Sequence, residues 1–189
     1  LIGLGCAIAI YGLLYAILEN DIRRILAYSI INQIGFKVCA VGIGTPLALG
    51  GAVAHVFCGI IYKSLLWMCA GAILHRLGKS KCTDLGGLIR SMPFTFVCCM
   101  IGVLALSAFP FTSGYTSKKI ILLAAEKAHF FWPWLLLEIA SAGVCLQAGL
   151  KFPYMIFFNK DKGLKPKKAP RTMFIGMGIL AILTVYLGC

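Results

Sequence analysis

Three side chains in this sequence combine a titratable group with a setting that withholds water. Within AHVFCGIIYKSLLWM, Ala54 to Met68, His55, Gly59 and Lys63 recur at i, i+4 and i+8. Each step of four advances only about 40° around a helix, so all three share one face. A histidine and a lysine two turns apart, separated by a glycine gap, suit a water-filled path along which a proton hops. The structural alternative is a histidine bonded to a carbonyl and a lysine paired with a carboxylate from another helix. The surrounding apolar run extends from Gly50 to Leu74 and is long enough to cross a bilayer. From its centre Lys63 is roughly 15 Å from either surface, and a stem of about 6 Å does not reach water by snorkelling. An ionisable group at that depth points to function.

The third side chain follows a helix break. After MPFTFVCCMIGVLALSAF comes Pro110, then the polar FTSGYTSKK and IILLAAEK. Proline lacks an amide donor and clashes with the preceding turn, so the helix is expected to stop there. Irregular backbone at membrane depth is tolerated where it is buried in protein or lines an aqueous cavity. A restart near Thr116 puts Lys118 in the first turn of the second half-helix, where the positive helix end and desolvation both work against a fixed ammonium. Lys119 is the better candidate for a surface lysine.

The elements that must hold these groups are membrane helices. Hydrophobic residues make up 60% of the chain, charged residues 13%, and the mean hydropathy is +0.92, which excludes a soluble globule. The expected fold is an all-α, polytopic transmembrane bundle forming a single domain over 1–189. Apolar runs place about six spans near 1–18, 25–43, 50–74, 93–125, 130–158 and 173–188, with the fourth broken. The opening lacks a basic stretch and a cleavage site, and with Leu1 first the chain reads as an internal piece of a longer protein. Nine cysteines lie in apolar segments with no C-x-x-C pair, so they read as packing residues with neither a metal site nor a disulfide framework.

A formal charge of +12 first suggests nucleic acid, but the placement of the charges argues for topology. Alternate connections hold twelve basic residues: Arg23 and Arg24; Arg76, Lys79, Lys81 and Arg90; and six in the basic loop at about 159–171. The other side holds Lys127 alone. This is the pattern of basic loops facing the cytoplasm or anionic lipid. Lys37, Lys63, Lys118, Lys119 and Lys151 are left inside the spans or at their edges. Lys37 lies two-thirds along the second span, where it serves function or reaches the far interface. Asp21 and Arg24 open that span, and the structural reading is an acid complementing the helix dipole. Ser29, Asn32 and Gly35 form a stripe suited to interhelical hydrogen bonds. Glu138 in the fifth span is a possible counter-charge to a lysine, without a spacing that selects which one. Pro153 is expected to kink or fray that span.

DIRRILAYSIINQIGF, AHVFCGIIYKSLLWMCAGAI and GGLIRSMPFTF…LALSAFPFTSGYTSK together resemble the proton-translocating antiporter-like membrane subunits shared by respiratory complex I and the multisubunit monovalent cation/proton antiporters. The D-type component of the latter is the nearest resemblance, and LLLEIASAGVCLQAGLKFPYMIFF extends it almost to the chain end. The resemblance implies a bundle of two inverted repeats, each with a broken helix, of which this chain matches the second. It implies that Lys63 is the central lysine of a hydrated axis, His55 the first histidine of an H-x-x-x-H-A-x-x-K pattern, and Lys118 the broken-helix lysine near an exit half-channel. Asp21 matches the acid opening a D-I-K/R-R motif. Gly59 stands where the pattern has its second histidine, so the path relies on water there, and Lys37 stands where relatives carry an apolar residue. The implied role is proton translocation at a bacterial inner membrane, coupled to sodium or another monovalent cation, with other membrane subunits as partners and no cofactor on this chain. Redox coupling in a complex I-like or hydrogenase-like enzyme is the alternative, with cofactors on other subunits. A scaffold without a relay is the third possibility. The upstream glutamate–lysine pair of the first repeat is absent, so this piece is not expected to transport alone.

Overall fold

The computed structural model describes residues 1–160 and 170–188, and only the backbone at 148–150. Most of the basic loop at 159–171 therefore lies outside the described residues. The helices are α1 (Ile2–Leu18), α2 (Ile22–Ile43), α3 (Pro46–Leu77), α4 (Pro93–Leu106), α5 (Ser113–Lys127), α6 (Phe131–Val144) and α7 (Arg171–Tyr186). No strand occurs among the described residues, where β-structure is limited to an isolated antiparallel bridge between Asp21 and Lys81.

Local chemistry sets most helix ends. Gly44 and Gly78 take left-handed φ values of 73° and 66° and terminate α2 and α3, a conformation that a Cβ disfavours. Between them Thr45 caps α3 through a hydrogen bond from the Ala48 amide, with Pro46 at the first helical position. By length and composition α2 and α3 are each long and apolar enough to cross a membrane, whereas Ile2–Leu18, Pro93–Leu106, Phe131–Gln147 and Arg171–Tyr186 are shorter apolar helices. The expected fourth span is realised as two helices, α4 and α5. The fifth continues α6 through π-helical stretches at Cys145–Lys151 and Tyr154–Phe158. They flank Pro153, so the missing proline donor is accommodated by widening the helix.

Helices α1 and α2 pack backbone to backbone. A Cβ on Gly35 would lie 2.7 Å from the Ala9 Cα, and one on Gly12 would lie 2.8 Å from the Asn32 Cα. This closeness lets Asn32 Nδ2 donate to the Ala9 carbonyl at 2.7 Å, as the stripe of small and polar residues leads one to expect. Helix α3 lies centrally, against α2, α4, α5 and α7. The buried apolar residues form two clusters. One holds Ile25, Leu65, Ile73, Val103, Leu106 and Phe157, and the other holds Ala9, Phe36, Ala48, Ile121 and Leu137. Along α2, α3 and the α4–α5 pair, the passage from one cluster to the other runs through polar residues: Asn32 and Gln33, His55, and Ser113 to Lys118. The outer surface carries exposed Val53, Phe57, Ile60, Ile175, Ile179 and Ile182, as suits contact with lipid or apolar partners.

The α1–α2 and α3–α4 connections are clamped together. Asp21 caps α2 by accepting from the Arg23 amide at 2.9 Å and accepts from the Ser80 hydroxyl at 2.6 Å. The Ile22 amide bonds the Ser80 carbonyl, and the Cys82 amide bonds the Asn20 carbonyl. The Asn159 carbonyl lies against Gly86, so the described parts of the three basic connections gather at one end of the bundle.

Two outcomes follow from this packing. Gly35→Leu places a side chain against α1 backbone and is expected to destabilise by at least the ~1–3 kcal/mol typical of overpacking; an unchanged melting midpoint in detergent would contradict the close approach. Desolvation pushes the Asp21 carboxyl up, but hydrogen bonds from Ser80 and the Arg23 and Arg24 amides, with the Arg24 charge, hold it below its ordinary 3.8. Its contribution to stability is then complete above that ordinary value and is lost as the pH falls through the lower folded-state value. The melting difference between wild type and Asp21→Asn should be flat near neutrality and shrink below about pH 4.

Candidate functional site

The site is organised by the break between α4 and α5. In a continuous helix the Leu106 carbonyl would accept from the amide of residue 110, and Pro110 has none. Lys118 takes over: its Nζ donates to the Leu106 oxygen at 2.7 Å. Ala108 and Phe111 adopt left-handed φ values of 58° and 64° as the chain turns. At Gly114 a Cβ would collide with the Ala105 carbonyl, so only glycine lets the start of α5 pass the end of α4 this closely. Helix α5 begins at Ser113 rather than near Thr116, which puts Lys118 in the second turn instead of the first. The helix-end field there is weaker than the sequence suggests, because it falls off within the first turn. Burial and the carbonyl contact define the Lys118 setting instead. The residue is 1% exposed, and its Nζ lies 5.5 Å from the Phe36 ring centre, a favourable contact for an ammonium.

His55 is joined to this break by hydrogen bonds with a fixed direction. The Ala9 carbonyl can only accept, so Asn32 presents its amino group there and its oxygen to Gln33 Nε2 at 3.3 Å. Gln33 Oε1 is thereby left to accept from His55 Nε2 at 2.6 Å, which assigns a proton to that nitrogen. On the other side, His55 Nδ1 lies 2.9 Å from Ser117 Oγ, and that hydroxyl also lies 3.1 Å from the Ser113 carbonyl and 3.3 Å from that of Gly114. With a neutral imidazole, Ser117 donates to Nδ1. When Nδ1 takes a proton, the hydroxyl accepts from it and turns its own hydrogen to a carbonyl. Ser117 is thus a two-position contact between His55 and the element that carries Lys118. Spacing within either helix gave no sign of the Gln33–His55–Ser117 link.

Lys63 lies near the middle of α3, on the same face as His55 and about 12 Å along the axis. Among the described residues it has no hydrogen-bond or ion-pair partner, so the carboxylate expected under the structural alternative is not found there. Glu138 is placed with Lys118. Both line a cavity of about 470 Å³ between α5 and α6 that also receives Glu126, Lys119, Ser107 and Ser141. The structure thus puts Glu138 on a cavity shared by Lys118 and Lys119, away from Lys63, and it adds Glu126, which the sequence had not singled out. Lys119 is exposed at the cavity rim and bonds Tyr115 Oη at 3.0 Å. Lys151 donates to the carbonyls of Ile17 and Glu19 and closes the end of α1. Asp21 sits in the clamp between connections, where its partners are Ser80, Arg23 and Arg24 rather than the relay candidates.

Comparison with known proteins agrees with this architecture. The family described as NADH:quinone oxidoreductase/Mrp antiporter, TM, matches residues 1–143. The chain is 32% identical to NADH-ubiquinone oxidoreductase chain 5 of Dictyostelium citrinum, over 98% of this chain and 28% of that protein. It is 30% identical to a probable K(+)/H(+) antiporter component of Rhizobium meliloti (strain 1021), over 97% of this chain and 19% of that protein. Among solved structures, a chain of the membrane-bound sulfane sulfur reductase, an archaeal respiratory membrane complex, superposes with a TM-score of 0.92 at 34% identity, covering 97% of this chain and 31% of that one. The chain thus spans under a third of the length of these relatives. By its residues, its broken helix and its match to the family, this chain belongs to the NADH:quinone oxidoreductase/Mrp antiporter transmembrane family.

Proposed function

We propose that the chain is part of the proton-translocating subunit of a multisubunit monovalent cation/proton antiporter, and that protons move along Lys63, His55, Lys118 and intervening water. The observation that carries this reading is the joining of His55 through Ser117 to the helix whose lysine caps the broken-helix carbonyl. A path needs groups that accept and release protons at membrane depth, and irregular backbone is tolerated there beside an aqueous cavity. The cavity beside Lys118, with Glu138 and Glu126, provides the wet side. The setting in this reading is a bacterial inner membrane with the basic connections on the cytoplasmic side. Its partners are other membrane subunits, protons and a monovalent cation such as sodium.

Redox-driven proton pumping is the second reading. It is favoured by the likeness to chain 5 of the Dictyostelium oxidoreductase and to the archaeal respiratory complex. In it the same residues move the proton, and the electron chemistry belongs to other subunits.

Lys63→Ala and Lys118→Ala, introduced separately into the complete assembly, are each expected to lower proton translocation by roughly 100-fold or more while the subunits still co-purify. Wild-type rates in both variants would overturn the relay and favour a scaffold. Co-purification of a nicotinamide-oxidising or iron–sulfur arm would decide for redox coupling over antiport.

A further inference from the structure

Between His55 and Lys63 the face of α3 carries Gly59, and the two titratable groups are about 12 Å apart along the axis. A proton passes between groups within hydrogen-bond reach or through one water, so this face alone leaves an interval. We propose that Lys37 of α2, together with the Tyr62 hydroxyl, fills that interval and acts as a relay residue. This inference rests on the proton-translocating reading above.

The geometry comes from the glycine. A Cβ placed on Gly59 would lie 3.9 Å from Lys37 Nζ and 3.6 Å from Tyr62 Oη, so two polar atoms converge on the position from which a side chain is missing. The Tyr62 side chain is 0% exposed, and its hydroxyl has no hydrogen-bond partner among the described residues. A buried hydroxyl left unpaired costs about 1–3 kcal/mol, and a water between it and Lys37 would remove that cost. Lys37 follows Gln33 by one helical turn, so both project from one side of α2: Gln33 holds His55, and Lys37 reaches the next turn of α3. Lys37 itself is half-buried and has no hydrogen-bond or ion-pair partner among the described residues.

The step needs no other reactant. As a proton arrives at the neutral Lys37 amine through the bridging water, one O–H bond breaks and one N–H bond forms. The reverse exchange on the other side returns the amine and passes the proton on. A merely structural lysine would need only its charge or its stem, and that difference can be measured.

The test uses the complete assembly in inverted membrane vesicles, with the initial rate of proton translocation read by a pH-sensitive dye and assembly read by co-purification. Lys37→Met is expected to slow translocation at least about tenfold. Lys37→Arg should be equally slow, because a guanidinium keeps its proton. Adding Gly59→His to Lys37→Met should restore much of the rate, since the Gly59 Cβ position is free of tight contacts and an imidazole there would replace the amine. Lys37→Arg at the wild-type rate, or a double variant no faster than Lys37→Met, would overturn the inference. If Lys37→Met fails to assemble, Lys37→Arg decides alone. Wild-type rates for Lys37→Met beside an inactive Lys63→Ala refute this role and leave the proposed function standing. Wild-type rates for both refute the function itself.

Discussion

The structure depends on one unpaired carbonyl. Pro110 leaves the Leu106 oxygen without its helical donor, and Lys118 supplies the replacement at 2.7 Å. Inside a bilayer an unpaired backbone group costs several kcal/mol. The break and the lysine therefore stabilise each other. A neutral lysine amine still has N–H bonds to donate, so the carbonyl stays satisfied whichever protonation state Lys118 adopts. The same bond therefore supports the α4–α5 turn, with its left-handed Ala108 and Phe111, in either state.

The polar residues around that contact divide the apolar core into two clusters. Each of the three elements is apolar on both sides and polar at one level, and the levels are joined by the bonds from Gln33 to His55 and from His55 to Ser117. The small-residue contact of α1 with α2 holds this layer in place, because Asn32 reaches the Ala9 carbonyl only when the backbones touch at Gly12 and Gly35. That distant carbonyl sets the direction of every amide in the series and, through them, which nitrogen of His55 carries a proton. A packing contact thereby becomes a constraint on proton chemistry.

The two sides of the layer differ in access. The Lys118 side borders the cavity lined by the carboxylates Glu138 and Glu126. The α3 side offers His55, the Gly59 interval and Lys63, without a carboxylate partner among the described residues. Ser117 lies between them, and its hydroxyl can donate to a neutral His55 or accept from a protonated one by rotation alone.

The sequence by itself determined what is local. Hydropathy placed the spans, Pro110 placed the break, and the spacing of four put His55, Gly59 and Lys63 on one face, because helix periodicity and the missing proline amide act within a few residues. The same reasoning set the restart of α5 three residues late and so overstated the helix-end field at Lys118. Tertiary structure decided everything that depends on which faces meet: Gln33 and Ser117 on His55, Glu138 with Lys118, Asp21 with Ser80, and Lys37 at Gly59. Periodicity fixes the direction of a side chain relative to its own helix axis. The neighbour it meets is set by how close the backbones come, and that closeness was decided by glycine contacts between helices that no single span reveals.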